Sequence, residues 1–220
     1  MDRMAKAFTR IGKDIAIAVK QGGADPDNNP RLRAAIQNAK GVNMPKERVD
    51  AAIKRAVSKD SSNYEEVTYE AFAPHGVALL IDCATDNPTR TVANVRMHLS
   101  KGNGTLGTNG SVSFMFERKG VFKLNKEGIN LEDLELDLID FGAEEIAEEE
   151  DGIYVYTKFS DIGSMQKGLE TKGIEPISAE KQWIPNTTKE LSEAQAEGVL
   201  KLIAQLEDDD DVQAVYHNLA

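Results

Sequence analysis

Apolar residues set a helical period at the start of the chain. Met4, Phe8, Ile11, Ile15 and Val19 recur at three- and four-residue intervals and predict one buried face. Lys6, Arg10, Lys13 and Lys20 form a stripe on nearly the opposite side, expected to face solvent. Gly22-Gly23 ends this helix, and Asp25-Pro26-Asp27-Asn28-Asn29-Pro30 turns into a second, capped by Asn29 with Pro30 at its first position. Leu32, Ala35, Ile36 and Ala39 form its core face, with Arg31, Arg33, Gln37 and Lys40 elsewhere on its surface and Gly41 closing it. Pro45 opens a third helix with Val49, Ala52, Ile53 and Ala56 inward and Lys46, Arg48, Lys54 and Arg55 outside. Lys59-Asp60-Ser61-Ser62-Asn63 is a polar linker and a domain boundary.

From Tyr64 the period changes. Residues 66–73 alternate as a strand, and Pro74-His75-Gly76 turns it into 77–84, a near-continuous apolar run suited to a central strand covered on both faces. Asn87 and Pro88 cap and open a helix that directs Val92, Val95 and Leu99 at the sheet and leaves Arg90, Asn94, Arg96 and Lys101 pointing away from it or along its edge. The glycine-rich stretch 102–110 follows a helix and precedes a strand, the reverse of a phosphate-binding loop, so its glycines are turn residues. Residues 111–117 alternate cleanly, with Val112, Phe114 and Phe116 on one side, and predict a half-buried strand.

Further on, 121–124 is a short strand, 131–141 a helix ended by Gly142, and 144–151 a solvent-facing strand and turn. A strand at 153–156, a helix at 159–172 and a strand near 175–184 complete an α+β unit with its own core. Ser192 and Gln195 have capping-box spacing for a last helix bearing Val199, Leu202, Ile203 and Leu206, and 212–216 is the last strand. The pattern is that of an α+β, multidomain protein with three helices first.

Charge sharpens the picture. The formal net charge is -11, yet residues 1–60 carry 13 Lys and Arg against 7 Asp and Glu, while the remaining 160 carry 13 against 30. Residues 126–180 alone hold 16 acidic and 4 basic side chains and should be repelled by a phosphate backbone. A polyanion would therefore meet the N-terminal helices, whose cations supply phosphate contacts without reading sequence. No apolar run approaches the roughly 18 residues of a membrane span, and Met1-Asp2-Arg3 lacks the plan of a secretory signal, which points to the cytoplasm.

Catalytic chemistry finds little support. Cys83 ends the apolar strand and behaves as a small core residue; His75, His98 and His217 share no spacing; no H-E-x-x-H or C-x-x-C occurs. Glu207-Asp208-Asp209-Asp210-Asp211 lacks the alternating ligands and glycine of a calcium loop and is expected to be a solvated acidic turn. Neither a metal nor a cofactor is expected.

Four stretches carry a resemblance. They are Asp25-Pro26-Asp27-Asn28-Asn29-Pro30-Arg31-Leu32-Arg33 with Asn43-Met44-Pro45-Lys46-Glu47 after it, Thr85-Asp86-Asn87-Pro88-Thr89-Arg90-Thr91-Val92, and Gly110-Ser111-Val112-Ser113-Phe114-Met115-Phe116. In this order they resemble the YebC/PmpR family, over essentially the whole chain down to Asp211-Val212-Gln213-Ala214-Val215-Tyr216-His217-Asn218. The resemblance implies an N-terminal helical domain (1–60), a central α/β domain (64–118 with 187–220) and an acidic third domain (119–186) inserted into it. It implies a non-enzymatic regulator of gene expression that binds DNA, or, as for mitochondrial relatives and members linked to the ribosome, a translation factor on ribosomal or transfer RNA. A protein-interaction module using the acidic third domain, without nucleic acid, is the third alternative. Members commonly carry a further basic segment ahead of the Phe8-Thr9-Arg10 region; here the expected contacts are Lys6, Arg10, Lys13, Lys20, Arg31, Arg33, Lys46, Arg48, Lys54, Arg55, Arg90 and Arg96.

Overall fold

The structure is a computed structural model that describes residues 2–220; Met1 lies outside the described residues. The chain forms two compact units, one of residues 1–61 with 118–182 and the other of 62–117 with 183–220.

In the first unit, α1 (Arg3–Gly22), α2 (Pro30–Gly41) and α3 (Lys46–Ala56) pack around Ile15, Ala18, Leu32, Ala39 and Val49. The start of α2 is doubly fixed: Asn29 accepts from the Leu32 N–H at 3.1 Å, and its amide donates to the Ala18 carbonyl at 2.8 Å. Pro30 follows at the first helical position, as expected.

The second unit holds an antiparallel sheet. β1 (Glu65–Phe72) pairs with β2 (Ala78–Thr85), and α4 (Pro88–Lys101) leads to the two-residue β3 (Thr105–Leu106), giving the order β3-β1-β2 before the C-terminal strand is added. β2 is central and covered on both faces as the apolar run requires: Leu79, Ile81 and Cys83 join one core cluster, Ala78 and Leu80 another with Val112 and Phe116. Thr91 is buried in α4 with Val95 and Leu99, while Val92 is only half-buried.

One predicted strand is absent. Residues 113–115 form a 3-10 turn, and β4 (Phe116–Leu124) begins only after it, absorbing the separately predicted 121–124. Phe114 consequently lies 69% exposed instead of sharing a face with buried Val112 and Phe116. α5 (Leu131–Leu138) is shorter than expected, its last turn tightening to 3-10 before Gly142 takes a left-handed φ of 99°.

β5 (Ala143–Glu149), β6 (Gly152–Lys158), α6 (Ile162–Thr171) and β7 (Ser178–Pro185) complete the second sheet, in the order β5-β6-β4-β7. Its core of Phe122, Leu138, Val155, Met165 and Leu169 also takes in Ala34 of α2. The chain then returns to the second unit with α7 (Glu193–Glu207), whose Ser192–Gln195 capping box forms as predicted, and β8 (Val212–His217), which pairs with β2.

Candidate nucleic-acid interface

The basic residues of the first unit divide by what their side chains already do. On α1 the expected solvent stripe does not hold: Lys13 is 9% exposed, and Lys6 and Arg10 are half-buried. Ile17, one turn beyond Lys13 on the same stripe, is buried too, so α1 is covered on a second side that one apolar face did not predict. Lys20 is exposed, with its ammonium 3.5 Å from the Ser61 carbonyl. Arg31 donates to the Gln21 side chain at 2.8 Å, and Arg33 donates to the carbonyls of Pro26 and Asp27, both at 2.9 Å. These two arginines brace the turn between α1 and α2.

α3 is different. Val49 and Ala56 are buried, and Lys46, Arg48, Lys54 and Arg55 are all exposed. Lys46, Lys54 and Arg55 make no ion pair among the described residues, and the Arg48 guanidinium lies 5.5 Å over the Phe8 ring. Glu47 in the first turn and Lys54 and Arg55 in the last complement the helix dipole, so the helix gains from its charges while leaving the cations in water. Lys40 of α2, by contrast, pairs with Glu175 at 3.0 Å.

In the second unit Arg90 is engaged. Its Nε donates to Asp211 at 3.1 Å and its Nη2 to Asp211 at 2.9 and 3.0 Å and to Asp86 at 3.0 Å. Asp211 first, and Asp86 after it, push the guanidinium pKa further up. Thr91 adds its hydroxyl to Asp211 at 2.9 Å, and the Asp211 carbonyl accepts from Ala84 N–H at 2.9 Å. The conspicuous Thr85-to-Thr91 motif is thus a clamp joining the start of α4 to the start of β8. It corrects the reading of 207–211 as a solvated turn, since Asp211 is 5% exposed and Asp209 contacts His98 at 3.3 Å. Arg96 is exposed with no ion pair among the described residues.

The glycine-rich loop has an internal anion of its own. Glu70 of β1 is 8% exposed and accepts from the N–H groups of Gly110 at 2.5 Å, Val112 at 3.0 Å and Ser113 at 2.7 Å. Burial pushes the Glu70 carboxyl up, but these three donors outweigh it and hold the pKa below its ordinary value. The amides that could have cradled a phosphate are taken by this carboxylate, which agrees with the turn reading of the glycines. Sequence inspection missed both Glu70 and Asp211, because their partners lie far along the chain and no local spacing marks them. Among the described residues no cluster of metal-ligating side chains occurs, and no helix is long and apolar enough to cross a membrane.

Residues 1–59 match the family model described as the TACO1/YebC protein N-terminal domain, and residues 64–219 the one described as the TACO1/YebC second and third domain. Among curated proteins, one from Cytophaga hutchinsonii is 58% identical over 219 residues, covering 100% of this chain and 92% of that protein. One from Flavobacterium johnsoniae is 57% identical, covering 98% and 91%, and one from Myxococcus xanthus 54%, covering 100% and 93%. Each of the three carries the name "Probable transcriptional regulatory protein". The crystal structure of a conserved hypothetical protein, Aq1575, from Aquifex aeolicus superposes with a TM-score of 0.87 at 37% identity, covering 98% of this chain and 90% of that one. Two family models that together take in nearly every residue, and relatives more than half identical along their length, lead to one statement: the chain belongs to the TACO1/YebC family.

Proposed function

We propose that the chain is a cytoplasmic, non-enzymatic regulator of gene expression that binds nucleic acid through the outer surface of α3. The observation that carries the reading is the set of exposed cations Lys46, Arg48, Lys54 and Arg55 on one short helix of a chain whose net charge is -11. The relatives' shared name supports the regulatory part. Arg96 is a second phosphate contact in this proposal, whereas Arg31, Arg33 and Arg90 serve mainly to hold turns and helix ends. The helical region 1–60 acts as one domain, with the central region and the acidic insertion at 119–186 as the others, and the insertion is held away from the phosphates by its charge.

A salt-titrated competition between mixed-sequence duplex DNA and purified ribosomes tests this, with wild type against a Lys54→Glu/Arg55→Glu variant. The variant is expected to lose affinity and to flatten the dependence of log affinity on log salt by about 1.8 on duplex DNA, about 0.9 for each lost phosphate contact. Binding that ignores both salt and the reversal overturns the reading in favour of a protein partner at the acidic domain. A ligand that resists the other in competition at physiological salt separates a DNA-binding regulator from a translation factor on ribosomal or transfer RNA.

A further inference from the structure

We infer that Phe114 is a stacking platform for an unpaired nucleobase, an inference that rests on the nucleic-acid reading above and specifies the kind of strand it takes. The ring is 69% exposed, and among the described residues no cation or ring packs against it. The other large exposed aromatic, Phe159, has the Arg118 guanidinium 4.0 Å over its face. The remaining large exposed apolar side chains are aliphatic. Phe114 therefore presents a bare aromatic face.

Its exposure is built rather than frayed. Glu70 fixes the backbone just before it through Gly110, Val112 and Ser113, and the Met115 N–H closes the 3-10 turn on the Val112 carbonyl at 2.9 Å. Asn186 holds the other side, its amide donating to the Phe114 carbonyl at 3.3 Å and its backbone N–H to the Met115 carbonyl at 2.9 Å. Val112 is fully buried and Phe116 nearly so, and they anchor the turn in the core on either side. With the backbone held on both sides, only the two side-chain torsions remain to be ordered when a partner arrives, which favours stacking.

The surroundings select the partner. Thr108, Asn109 and Asn186 are exposed and polar, Ser111 and Ser113 half-exposed, and no second large exposed apolar residue stands within 104–118 to make a protein hot spot. A nucleobase brings a π-face for the ring and a polar edge for hydroxyl and amide neighbours. Bases inside a duplex have no free face, so the strand must be unpaired at this point.

The experiment uses a labelled mixed-sequence single-stranded RNA, the same sequence closed into a duplex, and the full chain as wild type, Phe114→Ala and Phe114→Trp. Phe114→Ala is expected to bind the single strand about tenfold or more weakly, with its salt slope and its duplex affinity unchanged. Phe114→Trp should keep the affinity, and its added emission over wild type, which already carries Trp183, should be quenched at saturation. Wild-type affinity in the Ala variant, or unquenched added emission in the Trp variant, overturns the inference while the α3 reading stands. If wild type binds neither form of RNA nor duplex DNA, the α3 reading falls and takes this one with it.

Discussion

A carboxylate that accepts three backbone N–H bonds holds them less well on taking up a proton, because its charge is gone and one oxygen now carries a donor. Glu70 is in that position, and its folded pKa lies below the 4.5 of the free side chain. Its contribution is therefore complete above about pH 4.5 and is lost as pH falls through the lower folded value. Glu70→Gln should destabilise the chain near neutral pH by about 1.5–3 kcal/mol, the range for hydrogen bonds to a charged group. It should also flatten the acid limb below pH 4.5, as read by urea unfolding across pH. A variant as acid-sensitive as wild type would show that another group governs the limb. Burial pushes the His217 imidazole down, so its contribution is likewise lost on acidification, but beginning from about 6.5; that earlier decline should persist in the variant. At this scale the sequence was informative where burial follows from type and run. Cys83 sits in the core as its apolar neighbours required. The sequence misplaced Lys13, expected in a solvent stripe but buried by a second covered side of α1, and it was silent on Glu70, whose partners lie some forty residues on.

Helix α2 does more than complete a three-helix core. Its Asn38 side chain pairs with Ala179 as a strand would, accepting the Ala179 N–H at 2.7 Å and donating to its carbonyl at 3.0 Å. Gln37 donates to the Pro176 carbonyl nearby. Gly41 lies so close that a Cβ there would run into the Ile177 carbonyl oxygen. The glycine is needed for that approach, whereas the left-handed turn that ends the helix falls on Asn43, and Gly41→Ala should cost about 1–3 kcal/mol as an overpacking change, with a lowered urea midpoint. A silent substitution would mean that 174–179 yields easily. Helix ends were the most readable elements, because Asn29, Asn87 and Ser192 with Gln195 announce their caps locally. The strand expected at 111–117 failed for a tertiary reason. Its alternation is real, but Glu70 draws the successive amides of Val112 and Ser113, with that of Gly110 just before them, onto one carboxylate, and the chain goes on through a 3-10 turn where an extended strand would point successive amides apart.

At the scale of the molecule, the first unit joins opposite charges: residues 1–60 carry an excess of 6 positive charges, while 126–180 carry an excess of 12 negative. The imbalance was plain in the sequence. That the two segments belong to one compact unit was not, because it depends on small and neutral contacts such as Ala34, Asn38 and Gly41. The second unit is assembled from segments at both ends of a long excursion, and Leu79 pairs with His217 across it. During synthesis, every residue of the first unit is available once β7 is made, but β2 must wait for β8 with one edge unpaired. At roughly 5–20 residues per second that wait lasts on the order of ten seconds, for a strand that is almost wholly apolar. A chain truncated after residue 185 and released from the ribosome should therefore resist protease within 1–61 and 118–182 and be cut within 62–117. Protection of 62–117 in that chain would show that β1 and β2 fold without their last partner. The order of birth thus makes the C-terminal strand the closing step of folding and the open edge of β2 the place where a slow ribosome leaves the chain most vulnerable to aggregation.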